Sequence, residues 1–384
     1  MAQTSSCTGP SYGELRRLSR GVGSFPIIPD LTGKLVNAPS QPDETIARVL
    51  GTCAGYAYSD PATVATMMTR LGLPDNRCLQ VSEFVDAMFI CSTAFIVQSS
   101  DNQVVILCYR GTQPTSIINW LTNLTIEPTA IQIPPKEALD QAKGNLYVHG
   151  GFYRNVRATR YRAGEALGQA LAGRSVLAPD SDDTAAKLLP LKALYITGHS
   201  LGGAMAALMA ILMHTDPDYA PLLPVLKGVY TFGQPMIGSP DLAAACEASG
   251  IAALLHRYVY RCDVVPHVPP KQTGPFKHFG KELRYLAEWK DSPRATGQMD
   301  ALGLLETPLD FVARQVPGLS KLHFRYSLDD HGPQHYIQAL TPVGEPTEFG
   351  DRNLGVIPPP AVLSSSSGAQ HAPPRRLWSR RGWC

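Results

Sequence analysis

Residues 193–215 contain no Asp, Glu, Lys or Arg, and glycines break the run at Gly198, Gly202 and Gly203. The apolar stretch after them falls short of the roughly 20 residues that a membrane-spanning helix needs. The run therefore reads as a short strand, Leu194–Thr197, a tight turn, and a buried helix, Leu201–His214. The turn, Gly198-His199-Ser200-Leu201-Gly202, has the pattern G-x-S-x-G. Between strand and helix this pattern puts the serine on a sharp, strained bend, where the two elements approach too closely for larger side chains. Ser200 Oγ is then expected above the sheet edge. The Leu201 N–H opens the helix, aimed where an oxyanion would form.

The flanking sequence extends the alternation of strand and helix. Ala94–Gln98 and Val104–Tyr109 read as strands joined by a Ser-Asp-Asn turn. Residues 152–173 place Phe152, Val156, Ala163, Leu167, Ala170 and Leu171 at helical spacing among arginines, an amphipathic helix covering a sheet. Gly228–Phe232 and Leu254–Tyr260 are further strands. Ser239-Pro240 supplies an N-cap and a first-turn proline for a helix through Glu247, and Thr307-Pro308 opens another. The predicted fold class is α/β, with a mostly parallel central sheet and helices on both faces. Sites in such sheets lie at the carboxyl ends of the strands. Residues 46–341 are expected to form this domain. Residues 1–45 are a Ser-, Gly- and Pro-rich N-terminal arm, and residues 342–384 a Pro-, Ser- and Arg-rich tail expected to be disordered.

A net charge of +2, from 34 Lys and Arg against 32 Asp and Glu, excludes a globally basic nucleic-acid binder and an acidic disordered chain. The N-terminus lacks an apolar secretory core, so a cytoplasmic protein is expected, with leaderless export or peripheral membrane association left open. Trp378, Arg380, Arg381 and Trp383 in the tail could touch an anionic membrane, although a solvated tail is the plainer reading. No transmembrane segment is expected. The eight cysteines show no zinc spacing and read as buried reduced thiols, with a disulfide framework left open.

A serine hydroxyl is a poor nucleophile without a base. In a site of this type an acid and then a histidine follow the serine in the chain. Asp263, just past the strand Leu254–Tyr260, is the natural acid, with Asp241, Asp329 or Asp330 as alternatives. His331, in Asp329-Asp330-His331-Gly332-Pro333, is the natural base, with His335 as the alternative. His267, beside Pro266, reads as structural.

Several ordered blocks together resemble the class 3 lipases, the fungal-type triacylglycerol lipases and their bacterial relatives. They are Tyr109-Arg110-Gly111-Thr112 with Asn119-Trp120, Val148-His149-Gly150-Gly151-Phe152, and the elbow Gly198–Ala204. Thr231-Phe232-Gly233-Gln234-Pro235, Asp263-Val264-Val265-Pro266-His267-Val268-Pro269-Pro270, and Asp330-His331 with Tyr336 complete the set. The resemblance spans about 105 to 340 and implies an α/β-hydrolase fold, with Ser200 as nucleophile, Asp263 as orienting acid and His331 as general base. It also implies Thr112 as a second oxyanion donor beside the Leu201 N–H. Residues 113–121, with Ile117, Trp120 and Leu121, correspond to a mobile lid, although a packed surface helix is the plainer reading. His149 and Arg110 are family-like, with structural roles equally in view. Residues 133–146 and 271–322 look like insertions, the second keeping His278-x-Gly280-x-Glu282.

The expectation is a serine carboxylester hydrolase, in the first place a triacylglycerol lipase, acting by a Ser-Asp-His triad through an acyl-enzyme on a lipid or other ester, with transient contact at a lipid interface. No cofactor and no metal are required by that mechanism. A short-chain esterase, a phospholipase A1, and a catalytically silent lipid-binding protein on the same fold are the alternatives.

Overall fold

The computed structural model describes residues 27–85, 90–111, 146–177, 187–292, 296–300, 303 and 326–342. Its centre is an eight-stranded sheet: β1 (Arg77–Val85), β2 (Ile90–Gln98), β3 (Val104–Tyr109), β4 (Ala193–His199), β5 (Leu226–Phe232), β6 (Leu255–Tyr260), β7 (Lys281–Tyr285) and β8 (Trp289–Asp291). Neighbours in sequence are neighbours in the sheet. β3 through β7 are parallel, and antiparallel pairs close both ends.

The central strands are buried along their whole length, so they read as apolar runs, while the pleat sends alternate side chains to two separate cores. Leu107, Tyr109, Leu194 and Ile196 join one core, and Ile106, Cys108, Ala193 and Tyr195 the other. On the first face lie α4 (Gly150–Leu171) and α5 (Leu201–Thr215). On the second lie α1 (Leu31–Val36), α2 (Glu44–Tyr56), α3 (Pro61–Leu71) and, late in the chain, α7 (Pro333–Leu340). Every residue of α5 from Leu201 to Met213 is buried, which is why this helix has no polar face. The remaining helix, α6 (Pro240–Ala248), starts as expected, with Ser239 Oγ accepting from Leu242 N–H at 3.1 Å.

The α/β expectation holds, and the structure adds detail to three readings. Part of the arm is built into the domain: α1 lies within residues 1–45, and Leu31 and Leu35 are fully buried in the second core. Part of the presumed insertion 271–322 is sheet, since β7 pairs with β6 and β8 with β7. The cysteines divide: Cys53, Cys78, Cys108 and Cys246 are reduced, whereas Cys91 and Cys262 are disulfide-bonded. Spacing alone carries no information on pairing, so sequence could not make that division. The helix expected at Thr307 lies outside the described residues. Among the described residues, no helix is long and apolar enough to cross a membrane.

Buried histidines make the fold acid-sensitive. His256 on β6 is 3% exposed, and burial, with Lys281 nearby, pulls its pKa down to about 4. Burial, with Arg154, does the same to His149. Both folded values lie below the unfolded one, so the unfolded chain takes up more protons as pH falls below about 6.5. Stability is therefore full above that pH and declines toward pH 4, by about 2–3 kcal/mol for each histidine. Thermal melts from pH 7 to 4.5 should show the decline, and His256→Phe should flatten it.

Candidate active site

The site lies at the carboxyl ends of β3 to β6. Ser200 follows β4 directly, at φ 60° and ψ −130°, a conformation that side chains rarely adopt. Holding it there costs about 1–3 kcal/mol, which the surrounding packing offsets. That packing needs the glycines of the motif. A Cβ on Gly198 would collide with the Gly202 backbone, and one on Gly202 with the Tyr109 carbonyl. The Leu201 N–H opens α5, where no intrahelical carbonyl can accept from it.

Asp263 stands three residues beyond β6 and is fully buried. His331 reaches it from far along the chain because Ser327 pairs with the acid's own loop. Ser327 N–H donates to Cys262 O at 2.7 Å, and Val264 N–H donates to Ser327 O at 3.1 Å. A single helical turn, Asp329–His331, then carries the imidazole to the carboxylate. His331 Nδ1 lies 2.9 Å from both Asp263 oxygens. Since a carboxylate accepts, Nδ1 carries the proton and Nε2 is left as the basic nitrogen. Among the described residues, Ser200 Oγ and His331 Nε2 are both buried and neither makes a hydrogen bond, so each is available to the other or to a substrate. Gly233, at φ 58°, sits where any Cβ would press on Asp263 Oδ2 at 2.7 Å and His331 Cε1 at 2.8 Å.

Two further groups hold the acid. Val265 N–H donates to Asp263 Oδ1 at 2.8 Å, and Tyr336 O–H to Oδ2 at 2.5 Å. The Tyr336 oxygen accepts in turn from Tyr260 N–H at 3.1 Å. Burial and the adjacent Asp263 push the Tyr336 pKa well up, which keeps it a donor. Sequence reading had Tyr336 only as part of a block, and its role required the fold. Tyr336→Phe should lower kcat about tenfold by loosening the carboxylate, while orphaning the Tyr260 N–H should cost about 1–3 kcal/mol of stability. Ester turnover and a urea melt on the same preparation check both effects.

The rival residues have other work. Asp330 Oδ2 accepts from Cys262 N–H at 3.1 Å, clamping the loop. Asp329 faces His335 at 3.7 Å, and His335 stacks on Tyr260 with ring centroids 5.3 Å apart, away from Ser200. Asp241 lies in the first turn of α6. His267 binds Gly297 O at 2.8 Å, the structural part expected of it. His149 immediately precedes α4 and its ring stacks on Phe152 at 4.2 Å. Thr112, Ile117, Trp120 and Leu121 lie outside the described residues. Gly111, next to Thr112, is brought to the serine: its Cβ position is 3.2 Å from Ser200 Cβ. Among the described residues, no group of three His, Cys, Asp or Glu could hold a metal ion.

Residues 106–273 match the family model of the class 3 lipases. That segment contains Ser200 and Asp263, whereas His331 lies beyond it and enters through the geometry above. The chain is 29% identical over 191 residues to a lipase of Rhizomucor miehei, a match covering 50% of this chain and 44% of that protein. It is 28% identical over 220 residues to a triacylglycerol lipase of Ricinus communis, covering 53% and 42%. The chain thus spans less than half the length of these curated relatives. The solved structure of a Rhizomucor miehei lipase propeptide complex superposes with a TM-score of 0.50 at 20% identity, covering 77% of this chain and 78% of that one. The likeness establishes a shared α/β-hydrolase fold.

Proposed function

We propose, taking residues 106–273 as a class 3 lipase segment, that this protein is a serine carboxylester hydrolase acting on lipid esters, in the first place as a triacylglycerol lipase. The observation that carries the proposal is the buried Asp263–His331 pair, 2.9 Å on both oxygens, beside a serine held in a strained turn at a helix N-terminus. His331 Nε2 takes the proton from Ser200 as Oγ attacks the ester carbonyl, and the Asp263 carboxylate stabilises the imidazolium that forms. The Leu201 N–H, with Thr112 as its proposed partner, receives the oxyanion. His331 then protonates the leaving alcohol, and water releases the acyl group from Ser200 by the same steps in reverse. Transient contact with a lipid interface, through the segment containing Ile117, Trp120 and Leu121, belongs to the same proposal. Disulfides at Cys91 and Cys262 favour an oxidising compartment over the cytoplasm, and a mass-spectrometric count of alkylatable thiols in the natural protein would decide between them.

The test is hydrolysis of p-nitrophenyl esters across acyl lengths, monomeric and dispersed, with an active-site-directed phosphonate used to label the nucleophile. A rise in rate at an interface with long chains supports a lipase. A short-chain optimum on monomeric substrate points to an esterase, and release of one fatty acid from phospholipid to a phospholipase A1. Absence of labelling at Ser200 overturns the proposal and leaves a silent lipid-binding protein.

A further inference from the structure

His199 precedes the nucleophile, is 3% exposed, and takes no part in the proton transfers above. Its ring makes two hydrogen bonds. Nε2 lies 2.7 Å from the main-chain carbonyl of His331, and Nδ1 lies 2.8 Å from the Tyr58 hydroxyl. A carbonyl can only accept, so Nε2 carries the proton, and Nδ1 of the neutral ring accepts from Tyr58 O–H. The partners thus fix both the tautomer and the orientation of the ring. The His199 and His331 ring centroids lie 4.5 Å apart, and the Tyr336 ring meets His199 edge-on at 5.6 Å. The Tyr58 hydroxyl also abuts Gly111, where a Cβ would collide with it.

We propose, on the reading of Ser200, Asp263 and His331 as a triad, that Tyr58 and His199 are positioning residues that hold the general base at its working distance from the nucleophile. Asp263 fixes the direction of the His331 imidazole but not where the His331 main chain lies. The His199 Nε2–H bond to His331 O ties that second coordinate to the nucleophile's strand, alongside the Ser327 pairing and the Asp330 clamp. Because His199 and Ser200 are adjacent, the bond is a strut one side chain long between the nucleophile's strand and the base's loop. Tyr58, buried just past α2, braces the strut through its hydroxyl on His199 Nδ1. The strut must also stay uncharged, since a cation with its ring centroid 4.5 Å from that of His331 would oppose the imidazolium of each transfer step. Burial, and His331 itself, hold the His199 pKa well below its usual value.

The experiment compares His199→Phe, which keeps a planar ring and removes both bonds, with His199→Gln, which keeps an N–H for the His331 carbonyl, and with Tyr58→Phe. Turnover of a soluble short-chain p-nitrophenyl ester is expressed per site titrated with the phosphonate, so unfolded protein does not count. A misplacement of about 1 Å costs roughly 10²-fold in rate, so His199→Phe should lose about that in kcat with KM within about twofold. The acid limb of its pH profile should move, and His199→Gln should recover about tenfold. In the intact protein, ¹⁵N-histidine NMR should show His199 protonated on Nε2 alone. Wild-type turnover per titrated site in His199→Phe, with an unmoved acid limb, overturns the proposal, as does a His199 proton found on Nδ1. Ester hydrolysis that survives in Ser200→Ala would instead sink the triad, while the NMR assignment still decides whether the strut exists.

Discussion

Asp263→Asn should lower kcat about 10⁴-fold while the protein stays folded. The size of the effect follows from how the carboxylate is held. Oδ1 accepts from Val265 N–H, Oδ2 accepts from Tyr336 O–H, and both face His331 Nδ1 at 2.9 Å. An Asn has one oxygen for these donors. The main-chain N–H of Val265 cannot turn away, so the amide oxygen settles at Oδ1. The amide NH₂ is then left at Oδ2, against Tyr336, whose hydroxyl can rotate to accept. That NH₂ also faces His331 Nδ1 and favours the tautomer protonated on Nε2. A ring protonated there cannot take the serine proton, so the nucleophile loses its base with little change in shape. Turnover at pH 7, with near-ultraviolet circular dichroism as the check on folding, measures the effect. Activity within tenfold of wild type would remove Asp263 from the triad.

The second large effect lies away from the serine. Arg257 on β6 and Glu282 on β7 are 1% and 4% exposed and meet at 3.1 Å. Their charges are fully taken from water, and the carboxylate also accepts from Thr296 N–H at 2.8 Å and Thr296 Oγ1 at 3.0 Å. Arg257 and the other positive groups nearby hold the Glu282 pKa down to about 2, against the burial that raises it. Glu282→Ala leaves the guanidinium buried without its counter-charge and should cost about 3–5 kcal/mol. Replacing both partners, Arg257→Met with Glu282→Leu, should cost far less, because no charge is stranded. Urea denaturation of the wild type and these two variants decides the matter. Equal losses in the single and double variants would show that Glu282 acts by packing rather than by charge. Arg257 lies on β6, the strand that leads to the acid: its Nε donates to Phe279 O at 2.9 Å, and His278 meets Pro266 O at 2.8 Å. Loss of Glu282 should therefore weaken activity as well as stability, by loosening the loop that carries Asp263.

Sequence reached far in this chain where a local physical rule sufficed. Gly198 and Gly202 announce the bend at Ser200 because the clash they avoid involves residues a few positions away and the adjoining strand. Ser239 and Pro240 mark the start of α6 for an equally local reason. The alternation of strand and helix from β3 onward is likewise written in the hydrophobic period, since burial on both faces demands it. The order of serine, acid and histidine pointed to Asp263 and His331 and left Asp241, Asp329, Asp330 and His335 as alternatives.

Tertiary structure adds contacts between residues remote in the chain. The pairing of Ser327 with Cys262 and Val264 turns His331 toward Asp263 and leaves His335 against Tyr260. Strands β7 and β8 escaped the sequence reading because they are short and mostly polar, and they exist as strands only by pairing with β6 and with each other. α1 escaped it because six residues carry little periodicity, and only packing against the second core stabilises so short a helix. The bonds that Tyr58, His199 and Tyr336 make have no sequence signature. A hydrogen bond between side chains 141 or 73 residues apart is fixed by where the sheet and helices place them, and no local propensity encodes that distance.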